Sequence, residues 1–135
     1  MPGKFVMARE VVPEINDWGK LGWLSNPPNT GARDLTVIHV TLAPGKGHDF
    51  HSHPDQEEVI YVTSGTVEQW VDREKRILGA GDSAFIPGGV VHASFNVGAT
   101  EATIVAILGP CVGKIGYEVV DFSGEAPWNT LRKRS

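Results

Sequence analysis

Glycine and proline break this chain so often that no apolar run in it outlasts a short β-strand. There are 16 glycines and 9 prolines in 135 residues. Between them lie runs rich in valine, isoleucine, threonine and aromatics, which suit a pleated, half-buried surface. The spacing predicts strands at residues 4–12, 35–42, 48–53, 57–63, 66–71, 76–78, 83–86, 91–97, 103–108 and 117–122. Pro13 ends the first of them, and Asp72-Arg73-Glu74-Lys75 reads as a hairpin connection. Residues 16–33, with Trp18, Trp23 and Pro27-Pro28, read as loop with a short strand near 21–24. Burying either tryptophan would pin that loop, stabilising it by roughly 2–3 kcal/mol. Helical periodicity is almost absent, and only residues 127–132 allow a short C-terminal helical turn. About nine or ten short strands with short connections make an all-β chain, a sandwich or barrel, better suited to an antiparallel jelly roll than to parallel crossovers.

A chain of 135 residues supports one domain with a real core, here residues 1–135. Its 41% apolar and 21% charged residues are those of a folded globular protein. With a formal net charge of -4 it lacks the basic footprint that attracts nucleic acid or an anionic membrane, so neither is expected as a partner. The one basic cluster, residues 132–134, reads as a solvated tail. Cys111 is the only cysteine, which rules out an intrachain disulfide and a thiolate cluster within one chain. That usage, and an opening stretch without an apolar leader, lead us to expect a cytoplasmic protein.

Residues 45–65 carry the chemistry. They run Gly-Lys-Gly-His-Asp-Phe-His-Ser-His-Pro-Asp-Gln-Glu-Glu-Val-Ile-Tyr-Val-Thr-Ser-Gly. His51 and His53 are two residues apart on an extended chain, so both imidazoles leave the same face. With Glu58, and with His92 from a second glycine- and proline-punctuated stretch at 81–96, they form a candidate ligand set for one metal ion. Three imidazole nitrogens and one carboxylate oxygen suit Fe, Mn, Ni, Co, Cu or Zn rather than Ca or Mg. About two positions of an octahedron would stay open. Gly45, Gly65 and Gly81 fit tight turns. Other side chains have plainer readings. Glu57 points away from Glu58 on a strand, and a strand that begins one residue later would exchange the two; His39 is a core or surface histidine; His48 is either a mouth residue or an exposed loop histidine. Asn96 is a strand-end amide or a hydrogen-bonding support for the site, and Cys111 is a bystander. Parity alone does not place Tyr61, Gln69, Arg33 or Lys46 in a pocket.

These residues match a known pattern. Gly45, His51, His53, Glu58 and Gly65 are separated by five, one, four and six residues, which resembles the first motif of the cupin superfamily. Gly81, Pro87, Gly89, His92 and Asn96, separated by five, one, two and three, resemble the second. The resemblance implies a small double-stranded β-helix, or jelly-roll barrel, with its core at about residues 35–110, a metal inside one end, and a homodimer. Retention of all four ligands sets the chain apart from metal-free, sugar-epimerase-like cupins, and retention of the glutamate from cysteine-dioxygenase-like ones. The implied function is that of a metal-dependent enzyme of dioxygenase or oxidoreductase type acting on a small oxygen-rich molecule. The alternatives are a non-catalytic carboxylate- or sugar-binding module and a metal-dependent isomerase or decarboxylase.

Overall fold

The computed structural model describes residues 2–132. Its strands are β1 (Glu14–Asn16), β2 (Gly19–Ser25), β3 (Thr36–Leu42), β4 (Gly47–Ser52), β5 (Glu57–Ser64), β6 (Val67–Val71), β7 (Glu74–Leu78), β8 (Ser83–Ile86), β9 (His92–Asn96), β10 (Ala102–Gly109) and β11 (Val120–Asp121). One sheet has the order β1-β2-β3-β10-β5-β8 and the other β11-β4-β9-β6-β7. From β3 onward the chain passes back and forth between the sheets, and every pairing is antiparallel. This is the expected jelly roll. Two four-residue helices, α1 (Pro27–Thr30) and α2 (Trp128–Leu131), complete it. No helix among the described residues is long and apolar enough to cross a membrane.

Alternation of side chains fixes the interior. In β3, Thr36, Ile38, Val40 and Leu42 point inward, and in β10 Ala102, Ile104, Ala106 and Leu108 do so. In β5 the same parity turns Glu58, Ile60 and Val62 inward and leaves Glu57 exposed. In the middle of the second sheet, β6 and β9 are buried on both sides. Along β9, His92 and Ser94 face the barrel interior, while Ala93 and Phe95 join Phe50, Trp70 and Val91 in an outer cluster. Phe122, Trp128 and Leu131 of the C-terminal segment roof that cluster.

Several expectations are corrected. Residues 4–12 form no strand; they are an extended arm with one 3-10 turn, Ala8–Glu10, and Phe5 and Val12 are 92% and 84% exposed. A β-prone run needs a partner, and the place beside β3 is taken by the hairpin β1–β2. That hairpin also makes 16–33 more regular than a loop. Helix α1 was signalled by Asn26, whose side chain accepts from the Asn29 amide while Asn29 accepts from the Asn26 amide, with proline at the first helical position. The hairpin after β6 needs only two residues, because Val71 pairs with Glu74 and Asp72 adopts φ 54°. Of 117–122, only Val120–Asp121 pairs, against His51 and Ser52. Arg132 is no solvated tail residue: its Nε donates to Glu68 Oε2 at 2.6 Å and its guanidinium lies 4.0 Å over the Phe95 ring. The remainder of that cluster lies outside the described residues.

Candidate metal centre

Three strands and one irregular segment build the site. His51 is the last residue but one of β4, His92 starts β9, and the two are cross-strand partners. Glu58 enters from β5, and His53 follows β4 by one residue. Between His48 and His51 the register slips, three residues of β4 spanning two of β9. Such a bulge turns a side chain to the opposite face. His48 therefore shares a face with His51 despite their odd separation, and the rings stack at 3.6 Å and 13°. Trp18 stacks on His48 in turn, at 4.7 Å and 9°.

The hydrogen bonds assign the tautomers. His51 Nδ1 lies 2.6 Å from the Asp49 carbonyl, His53 Nδ1 2.7 Å from that of Glu118, and His92 Nδ1 2.9 Å from that of Val90. A carbonyl only accepts, so each Nδ1 carries a proton, and in the neutral ring Nε2 is then the nitrogen with the lone pair. The ligand atoms of these three buried histidines lie within 4.8 Å of one another. Glu58 Oε1 sits 3.2 Å from His53 Nε2 and 2.8 Å from His92 Nε2.

That last contact tests whether a metal fits. Glu58 Oε1 and His92 Nε2 are both buried and neither has a hydrogen-bond partner among the described residues, although they lie 2.8 Å apart. Burial alone would raise the Glu58 carboxyl, but the facing His53 and His92 overcome it and hold it down to about 2. Burial also pushes His51 well below the usual histidine range, with His48 adding to the effect. A carboxylate and neutral imidazoles therefore converge with their lone pairs inward. Such donors repel unless a cation lies among them, and this set suits a divalent transition metal.

The centre opens into a narrow cavity of about 30 Å³. Leu21, Ile38, Val40, Leu42 and Ile60 line one wall; Trp18, His48, Ser94 and Tyr117 stand around the histidines. His48 is half-buried there, and burial, outweighing the opposing pull of Glu58, pushes it down to about 4. The remaining candidates fall elsewhere. His39, Glu57 and Tyr61 are exposed. Asn96 ties strand ends together, donating to the carbonyls of Leu42 and Thr100 and accepting from the Gly98 amide. Gln69 accepts from Ser94 Oγ at 2.6 Å, and Lys46 reaches the Asp17 carbonyl. Arg33 is exposed, and Cys111 lies 3.3 Å from Thr36 Oγ1, away from the centre. Sequence reasoning left His48 open and missed Trp18 and Tyr117 as parts of the site. A bulge has no residue signature here, and Tyr117 comes from outside both motifs.

Comparison with known proteins agrees with this geometry. A family model described as "Cupin domain" matches residues 38–108. Polyketide synthase CurC of Streptomyces cyaneus is 33% identical over 127 residues, 94% of this chain and 81% of that protein. Oxalate oxidase GF-2.8 of Triticum aestivum is 31% identical over 86 residues, 58% of this chain but only 38% of that protein. Among solved structures, KdgF from a Halomonas species superposes with a TM-score of 0.72 at 20% identity, covering 81% of this chain and 94% of that one, a likeness of fold.

Proposed function

Because this chain belongs to the cupin family, we propose that His51, His53, His92 and Glu58 hold a divalent transition metal and that the protein is a metal-dependent enzyme acting on a small oxygen-rich molecule. The observation that carries this reading is the committed tautomer of all three histidines, each with Nδ1–H on a backbone carbonyl and Nε2 facing the same point. Such a metal, when bound, would polarise adjacent substrate oxygens as a Lewis acid. The chain supplies the rest. Its cavity is walled by aliphatic side chains, and among the described residues no lysine or arginine lines it. A small dianion would find no cationic side chain there, so the lining favours a neutral, enolisable polycarbonyl or a phenol. CurC, similar over most of both chains, is named as a polyketide synthase, which accords with that substrate class. The reaction we propose is oxygenation of the chelated enediol or enol.

Metal analysis of the purified protein and oxygen consumption with 1,3-diketone and enediol substrates test this. We expect about one bound metal per chain and metal-dependent oxygen uptake. Turnover without oxygen uptake would replace oxygenation by isomerisation or decarboxylation, and saturable binding without turnover would make the protein a binding module. Failure to take up any metal would end the proposal.

We also propose that a second copy of the chain covers the outer face of the six-stranded sheet. Val37, Ile107, Val59 and Phe85 stand opposite one another across β3, β10, β5 and β8, an apolar row with Phe85 54% exposed. A monomer rarely leaves such a band to solvent. Light scattering should give twice the chain mass of 14.6 kDa, and Phe85→Glu should halve it. A monomeric wild type at micromolar concentration would contradict this.

A further inference from the structure

We infer that Tyr117 donates a hydrogen bond from its hydroxyl to an oxygen of the substrate held at the three-histidine centre. The inference rests on the metal reading and adds the residue that grips the substrate from the protein side. Most donors around the cavity are already engaged. The three Nδ1–H groups are on carbonyls, and Ser94 Oγ–H is given to Gln69. Glu58 only accepts. His48 stacks on both Trp18 and His51, which leaves its in-plane ring N–H as the rival donor that the test below includes. Tyr117 lines the same cavity with its ring 5.0 Å from that of His53, and its hydroxyl has no hydrogen-bond partner among the described residues.

The backbone on both sides of Tyr117 is fixed. The Gly116 carbonyl accepts from Thr36 Oγ1 at 2.7 Å and from Gln56 Nε2 at 2.9 Å. The Glu118 amide donates to Gln56 Oε1 at 3.4 Å, and the Glu118 carbonyl receives the His53 Nδ1–H. Buried Gln56 thus clamps the peptides before and after Tyr117, and the same short segment orients a histidine of the centre. Gly116 makes the clamp possible: it has φ +82°, and a Cβ there would lie 2.5 Å from Thr36 Oγ1. The Trp23 ring meets the phenol edge-on at 5.4 Å. A phenol ordinarily titrates near about 10, so at neutral pH the hydroxyl keeps its proton and is a donor. Packing against Trp23 and His53 would be served equally by phenylalanine. What the hydroxyl adds is a preorganised donor beside the centre, the kind of group that stabilises developing negative charge on an enolate.

The test uses the Co²⁺-loaded protein and acetylacetone, which binds as a chelating enolate, with the visible Co²⁺ spectrum as readout. Tyr117→Phe should leave the melting temperature and the Co²⁺ spectrum without acetylacetone unchanged and weaken acetylacetone binding about tenfold, the loss expected for one hydrogen bond to a charged group. Unchanged affinity in Tyr117→Phe, with a normal Co²⁺ spectrum, overturns the donor role alone. Loss of affinity in His48→Asn but not in Tyr117→Phe assigns the donor to His48 and overturns it too. A wild type that takes up no Co²⁺ overturns the metal reading, and the donor role with it.

Discussion

Replacing His51 or His92 with alanine should lower metal affinity by more than about a hundredfold, a larger loss than removal of a side chain that merely supports a ligand. The two are cross-strand partners whose rings lie 4.2 Å apart, so either substitution removes a converging Nε2 while β4 and β9 keep their pairing. Metal analysis after passage over a chelator measures the effect. His39→Ala is the control, because His39 stands exposed on the opposite sheet. Equal loss from His39→Ala and His51→Ala would mean that the centre has been misplaced. Glu58→Gln separates two readings of the carboxylate: loss comparable to the histidine variants makes it a ligand, whereas full retention makes it only a counter-charge.

Phe50→Ala should destabilise the protein by about 3–5 kcal/mol, a large share of the roughly 5–15 kcal/mol that holds a domain of this kind together. Phe50 is fully buried and meets Trp70 at 5.6 Å and Phe95 at 5.9 Å, both edge-on. The cluster around it is small, and its cover is the C-terminal segment, so little remains to collapse into the hole. Urea denaturation monitored by tryptophan fluorescence measures the change. A loss under about 1 kcal/mol would show that the outer cluster is not the second core we take it to be.

The parts of this molecule that were legible in its sequence are those set by local rules. Strand alternation puts Glu57 and Glu58 on opposite faces, and the structure turns Glu58 inward and leaves Glu57 exposed. Gly45, Gly65 and Gly81 have positive φ, as their turns demand. What escaped depends on partners distant in the chain. Residues 4–12 have strand composition, but only the finished sheet shows that the β1–β2 hairpin takes the place beside β3. His48 has the wrong parity for the site until a bulge, visible only as a slip against β9, rotates it in. Tyr117 and the Glu118 carbonyl arrive from a stretch that reads as a strand and instead spends most of its length as a fold-back over the barrel mouth.

That fold-back divides the labour of the chain. Residues 38–108 match the family model and hold all four inward-pointing donors, whereas the tyrosine that faces the substrate and the roof of the second core belong to residues 110–132. Near the centre the two stretches touch through the hydrogen bond from His53 to the Glu118 carbonyl and through the pairing of Val120–Asp121 with Ser52 and His51. The strap can thus change what the cavity accepts while the donor set stays as it is, and an alteration in the strap that does reach the centre will be felt at His53 and His51.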